Sequence, residues 1–170
     1  TRALSNAGAR VIVTVRTPNK ARSALDGLPV ETVTLDLMEP DSVKTGAQEI
    51  RALTPDGIDL LINNAGIMAT PLRRNSKGWE SQFATNHLGH FALFAQLSDL
   101  LLKRPGARLV ALSSLAHRIS DVNLEDWSRD AGEYEKWPAY GRSKSANALF
   151  ALELNRRYED QGLKAYSVHP

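Results

Sequence analysis

Tyr140 and Lys144 stand four residues apart in the run Tyr140-Gly141-Arg142-Ser143-Lys144. On a helix, residues at that spacing share a face, which would bring the Lys144 ammonium beside the Tyr140 ring. A free phenol, with a pKa of about 10, is a poor acid–base group at neutral pH. A neighbouring cation favours the phenolate and makes proton transfer near neutrality practicable. Upstream, Leu112-Ser113-Ser114 offers in Ser114 a hydroxyl that can hydrogen-bond a carbonyl or alkoxide oxygen where charge develops. The Tyr–Lys pair alone decides little, because both residues are common on helix surfaces.

The elements that must position these groups alternate between apolar runs and helical patterns. Residues 11–15, 30–35, 58–62, 109–112 and 165–168 read as strands, mostly as continuous apolar runs. Helices are expected over 1–7, where Gly8 is a suitable stop, from Pro18 to about Gly27, and from a capping Asp41 to about Leu53. Two more are expected over 79–102 and 139–158. Residues 115–137 are polar and rich in turn formers, and the Ala146, Leu149, Leu152 stripe reads as core. The pattern predicts an α/β domain, a doubly wound parallel sheet with helices on both faces. Ligands of such sheets bind beyond the carboxyl ends of the strands. Those ends carry Arg16, Asp36, Asn64-Ala65-Gly66 and Ser113-Ser114, although turns after strands are polar in any case.

Composition narrows the function. The 170 residues suffice for one domain, and a net charge of +2 gives no dense basic surface for nucleic acid. The absence of cysteine removes disulfides, thiolate metal sites and cysteine nucleophiles together. The longest apolar stretches, 91–94 and 100–102, fall far short of a membrane span. His87 and His90 lie three apart on a predicted helix, but no third ligand accompanies them at a familiar spacing, so no metal is expected. His117 reads as a surface-loop residue. Trp137-Pro138 suits either an apolar substrate wall or the start of a helix.

Four motifs in fixed order carry a resemblance: Asn63-Asn64-Ala65-Gly66 after a strand, Thr-Asn-His-Leu-Gly-His-Phe at 85–91, Leu112-Ser113-Ser114, and Tyr140 through Lys144. The chain resembles the short-chain dehydrogenase/reductase family over essentially its whole length. The Ser-Ser-Leu-Ala-His phrase at 113–117, the long insert before Tyr140 and the Asn-Leu-Glu-Asp-Trp run at 123–127 resemble its retinol-dehydrogenase-type members. The resemblance implies a Rossmann-type fold and hydride transfer between a nicotinamide cofactor and an alcohol, ketone or aldehyde of lipophilic or bulky kind. Tyr140 would be the general acid for reduction, or the base for oxidation. Lys144 would hold the nicotinamide ribose hydroxyls, Ser114 the substrate oxygen, and Asn86 a water linking Lys144 to solvent. Asn64, Ala65 and Gly66 would line the adenosine ribose, and Asp36 and Leu37 the adenine. Arg16 stands where NAD-preferring sites place a carboxylate, and a guanidinium can pair with a 2′-phosphate. NADP(H) is therefore expected over NAD(H). Relatives tend to pair subunits through the last helix, so a homo-oligomer is expected by analogy. The opposing readings are a non-catalytic dinucleotide-binding regulator or inactive relic, and an extended-branch epimerase. The filled catalytic positions argue against the first, and the 63–66 and 85–91 motifs against the second.

The chain departs from the family in lacking the TGxxxGxG turn, which offers helix N-terminal amides to a pyrophosphate. The strand before that turn belongs in the centre of the sheet, between those at 11–15 and 58–62. Residues 1–170 are therefore expected to form one partial domain with a trough dividing its sheet, folding and binding cofactor poorly alone. Neither terminus reads as natural, and a cytoplasmic location is expected.

Overall fold

The computed structural model describes residues 1–122 and 134–170; the 123–127 motif lies outside them. The apolar runs form five strands: β1 (Val11–Val15), β2 (Val30–Thr34), β3 (Leu60–Asn63), β4 (Arg108–Leu112) and β5 (Lys164–Val168). β1 and β2 pair in parallel, with Val11 beside Val30 and Val15 beside Thr34. β3, β4 and β5 pair in that order, also in parallel, with Leu60 beside Arg108 and Arg108 beside Lys164. Parallel neighbours require long crossovers. Helices α2 (Pro18–Leu25), α3 (Pro40–Leu53), α5 (Gly89–Leu102) and α6 (Lys136–Tyr158) supply them, while α1 (Arg2–Asn6) and α4 (Ser81–Phe83) are short. The strands fall into a two-stranded and a three-stranded sheet with no ladder joining β1 to β3. That is the trough expected between residues 11–15 and 58–62.

α5 holds the domain together because it is buried on two sides. Its Leu93, Leu97 and Leu100 pack with Val33, Val43 and Ile50 of the β2–α3 unit. Its Phe94 and Leu101 pack with Leu109, Phe150 and Leu154 of the β4–α6 unit. A helix caught between two cores must be apolar on most of its circumference. The opposite face is thinner: α1 and α2 contain no fully buried residue, and Leu60 and Ile62 of β3 remain 39% and 41% exposed. Among the described residues, no helix is long and apolar enough to cross a membrane.

Several sequence expectations are corrected. The helix expected over 79–102 starts at Ser81, where the Glu80 carboxylate caps it by accepting from the amides of Gln82 and Phe83. It then widens into a π-helical turn over Ala84–Leu88 before resuming as α5. Asp41 does not cap α3; Glu39 occupies that position, and Asp41 lies in the first turn, where a negative charge suits the helix dipole. α6 begins at Lys136 instead of 139, since proline is tolerated within the first turn. Of the Ala146, Leu149, Leu152 stripe only Ala146 is buried; Leu149 and Leu152 are 55% and 67% exposed. The inward face of α6 runs instead through Ser143, Asn147, Phe150 and Leu154.

Gly89 marks where α5 crosses the turn after β2. A Cβ there would sit 2.2 Å from the Leu37 carbonyl oxygen, an immovable backbone atom. At Gly46 the nearest atom is Leu35 Cδ1 at 2.7 Å, the end of a flexible side chain. Alanine in a helix is otherwise favoured over glycine by about 1 kcal/mol. In the full-length protein, Gly89→Ala should therefore lower the unfolding free energy by about 1–3 kcal/mol, and Gly46→Ala should cost far less. Denaturant titration of both variants checks the contrast; equal effects would remove the steric account.

Candidate active site

Asn86 sits inside the π turn with no exposed surface. Its Oδ1 accepts from the Ile67 amide at 2.8 Å, and its Nδ2 donates to the Ile67 carbonyl at 2.9 Å. The same Nδ2 donates to Ser143 Oγ at 3.0 Å, and that hydroxyl donates to the Tyr140 carbonyl at 2.7 Å. One amide thus joins the turn after β3, the π turn and α6. The fit is close: a Cβ on Gly66 would meet Asn86 Oδ1 at 3.1 Å and Lys144 Nζ at 3.7 Å.

Lys144 and Tyr140 share a face of α6, with Nζ 5.5 Å from the centre of the Tyr140 ring. The ammonium is buried and donates to the Leu112 carbonyl at 3.0 Å. Among the described residues it has no ion-pair partner. Burial holds its pKa below the usual lysine value. Two further N–H groups remain to the ammonium, a polar demand that a ribose diol could meet. Asn147 shares the Leu112 carbonyl, donating at 3.0 Å, and its Oδ1 contacts His87 Nδ1 at 3.1 Å.

The two serines after β4 take different roles. Ser113 is buried and donates to the Lys144 carbonyl at 2.9 Å. Ser114 begins a 3₁₀ turn over Leu115–Arg118, its Oγ accepting from the Ala116 amide at 3.2 Å. That bond leaves the Ser114 hydroxyl hydrogen free to donate elsewhere. The turn packs on α6 at Gly141, where a Cβ would lie 2.6 Å from the Ala116 carbonyl. The turn that carries Ser114 is thereby held against α6. His117 is exposed, and its Nδ1 lies 2.6 Å from the Ser114 carbonyl.

Arg16, Asp36 and Leu37 lie just beyond the ends of β1 and β2. Arg16 is exposed and has no partner among the described residues. Asp36 Oδ1 accepts from the Met38 amide at 2.9 Å in a local turn, and Leu37 is buried against α3 and α5. Asn64, Ala65 and Gly66 are exposed beyond β3. The preceding Asn63 is only 2% exposed, yet neither its Oδ1 nor its Nδ2 has a partner among the described residues. A buried amide left unsatisfied is costly. Together with the side-chain-free surface at Gly66 and the half-satisfied Lys144, it fits a site built to take a polar cofactor.

Sequence reasoning missed Ser143, Asn147 and Ser113 as supports, and His90 as a partner of Asn86. The first two were accessible as positions 3 and 7 after Tyr140, on the same helix face. His90 Nδ1 donates to the Asn86 carbonyl at 3.0 Å, so His87 and His90 are engaged with different groups.

The parallel α/β architecture sets Tyr140 and Lys144 on one face of α6, with Asn86 bonded to Ser143 of that helix. The chain belongs to the short-chain dehydrogenase family: the family model described as short chain dehydrogenase matches residues 1–170. It is 38% identical to retinol dehydrogenase 12 of Mus musculus over 176 residues, 99% of this chain and 55% of that protein. It is 37% identical to a short-chain dehydrogenase/reductase of Penicillium rubens, covering 99% of this chain and 52% of that protein. The chain thus spans about half the length of these curated relatives. A crystal structure of a protein from Mycobacterium Paratuberculosis superposes with a TM-score of 0.87 at 42% identity, over 99% of this chain and 61% of that one. The NADPH-bound carbonyl reductase from chicken fatty liver shares the fold, with a TM-score of 0.69 at 23% identity over 95% of this chain and 68% of that one.

The buried His90 gives the site a pH signature. Burial, with Lys144 and His87 as the facing cations, lowers its pKa to about 4. The folded state therefore keeps His90 neutral while the unfolded chain protonates near 6.5. Its share of stability is complete above pH 6.5 and is lost as pH falls toward 4, by up to about 3 kcal/mol. His90→Asn keeps a donor for the Asn86 carbonyl and removes the titration. Unfolding free energies of the full-length protein between pH 7 and 4 should fall less steeply in this variant; parallel curves would contradict the assignment.

Proposed function

We propose that the complete protein is an NADP(H)-dependent oxidoreductase that interconverts a lipophilic alcohol and its carbonyl compound. The observation that carries this reading is the buried Lys144 ammonium, without an ion-pair partner among the described residues, over the Tyr140 ring at 5.5 Å from ring centre to Nζ. A buried charge without a counter-ion costs several kcal/mol and finds its purpose in a reaction.

When bound, the nicotinamide ring supplies or accepts the hydride. Every other part belongs to the chain. The Tyr140 hydroxyl gives a proton to the carbonyl oxygen during reduction, or takes one from the alcohol during oxidation. Ser114 donates its free hydroxyl hydrogen to the same oxygen and steadies the negative charge that gathers there. Lys144 holds the ribose hydroxyls with its remaining N–H groups. The Asn86 side chain is spent on Ile67 and Ser143, so its proposed water-holding role falls to the second lone pair of its carbonyl. Asn64, Ala65 and Gly66 leave room for the adenosine ribose, and the Asp36–Leu37 turn borders the adenine. Arg16, without an ion pair among the described residues, is available for a 2′-phosphate.

The exposed Met68, Leu115, Ile119 and Trp137 support an apolar substrate, in keeping with the likeness to retinol dehydrogenase 12. The outward Leu149 and Leu152 of α6 support pairing with a second copy of the chain.

Two variants of the full-length protein test the reading. Tyr140→Phe should reduce turnover at least about 100-fold while the NADPH dissociation constant stays within about twofold of wild type by fluorescence titration. Undiminished turnover would sink the mechanism, and a wild type that binds NADPH but reduces no carbonyl would favour a regulator. Arg16→Ala should weaken NADPH about tenfold or more, the worth of a lost charge-assisted bond, and leave NADH almost unchanged.

A further inference from the structure

Gln82, with no exposed surface, takes no part in the chemistry above, yet it ties three separate segments together. Its Oε1 accepts from the Ala69 amide at 2.7 Å. Its Nε2 donates to the Lys136 carbonyl at 2.9 Å and to the Tyr134 hydroxyl at 2.7 Å. The orientation of the amide is fixed, because a backbone N–H can only donate and a carbonyl can only accept. The Tyr134 hydroxyl faces the Thr70 carbonyl at 3.0 Å and Glu80 Oε1 at 3.2 Å. Burial and the Glu80 charge push its pKa up to about 12, so Tyr134 serves as a neutral donor.

The grip falls on a strained point. Ala69 has a φ of 50°, the one positive value among the described non-glycine residues. An L-residue in the left-handed region costs about 1–2 kcal/mol, and the Gln82 bond helps to offset it. The segments joined line an open cleft of about 540 Å³, with Pro71 from one and Tyr134, Glu135, Lys136, Trp137 and Pro138 from the other. The Trp137 ring stands edge-on to Tyr140, with centroids 6.3 Å apart. The buried Gln82 amide therefore ties together the segments that carry Pro71 and Trp137.

We propose that Gln82 is a specificity-determining positioning residue: by tying Ala69 to Lys136 it sets the gap between Pro71 and Trp137 through which a bulky apolar carbonyl compound reaches Tyr140. This rests on the reading of Tyr140 as the proton donor. A small substrate needs only Tyr140 and Ser114, whereas a long one must also lie against both segments. Losing the clamp therefore penalises the long substrate selectively.

The test is steady-state reduction of decanal and of propanal by the full-length enzyme with NADPH, in Gln82→Met and Tyr134→Phe. Gln82→Met keeps the volume and removes all three bonds. Its KM for decanal should rise tenfold or more, with KM for propanal and the NADPH dissociation constant within threefold. Tyr134→Phe removes one arm of the clamp and should raise the decanal KM about threefold with the same selectivity. Equal changes for the two aldehydes, or none, would overturn the proposal. If Gln82→Met does not fold, the decanal-to-propanal ratio of Tyr134→Phe decides alone, an unchanged ratio overturning it. Failure of the underlying reading looks different: Tyr140→Phe would then keep its turnover, or wild type would reduce neither aldehyde.

Discussion

The geometry of the site depends on one buried amide. Asn86 holds Ile67 at both its N–H and its carbonyl, and Ser143 of α6. Removing one partner of such a buried network leaves the others unsatisfied, and that penalty exceeds the net worth of any single bond. The π turn makes the arrangement possible. By admitting one extra residue to the helical turn it rotates Asn86 relative to the α5 face that follows, so Asn86 points toward the site while Leu93, Leu97 and Leu100 point into the core. π turns recur at functional sites for this reason.

A second constraint is steric. The helices and turns around the site approach one another at glycines: α5 over Leu37 at Gly89, the 3₁₀ turn on α6 at Gly141, and the turn after β3 over Asn86 and Lys144 at Gly66. These contacts fix distances that hydrogen bonds alone would leave soft. The low polarity they enclose also keeps Lys144 short of its normal solvation, so its attraction for any anionic or polar partner is stronger than in water.

Much of this was legible in the sequence, for identifiable reasons. The strands were readable because β-branched runs between turn formers have few other uses, and the break between the two sheets followed from the family resemblance. Tyr140 and Lys144 share a face of α6, as their spacing implied. The rest was hidden by the kind of signal it leaves. A π turn shifts the register by one residue, and periodicity averaged over 79–102 cannot show it. The exposure of Leu149 and Leu152 was missed because Ala146, Leu149 and Leu152 read as one stripe, while the buried face is lined with Ser143 and Asn147, which look like surface residues. Gln82 and Tyr134 meet across 52 positions, a pairing that no local pattern records.

The central claim is that Asn86 pins the turn after β3 to α6 and thereby assembles the site. The direct measurement is amide hydrogen exchange at Ile67 in the full-length protein, wild type against Asn86→Ala. The account predicts that Ile67 loses at least about tenfold of its protection, through local opening, while the β4 amides from Arg108 to Leu112 keep theirs. Unchanged protection at Ile67 would contradict it, and loss spread evenly over both regions would show Asn86 to be a general core residue instead.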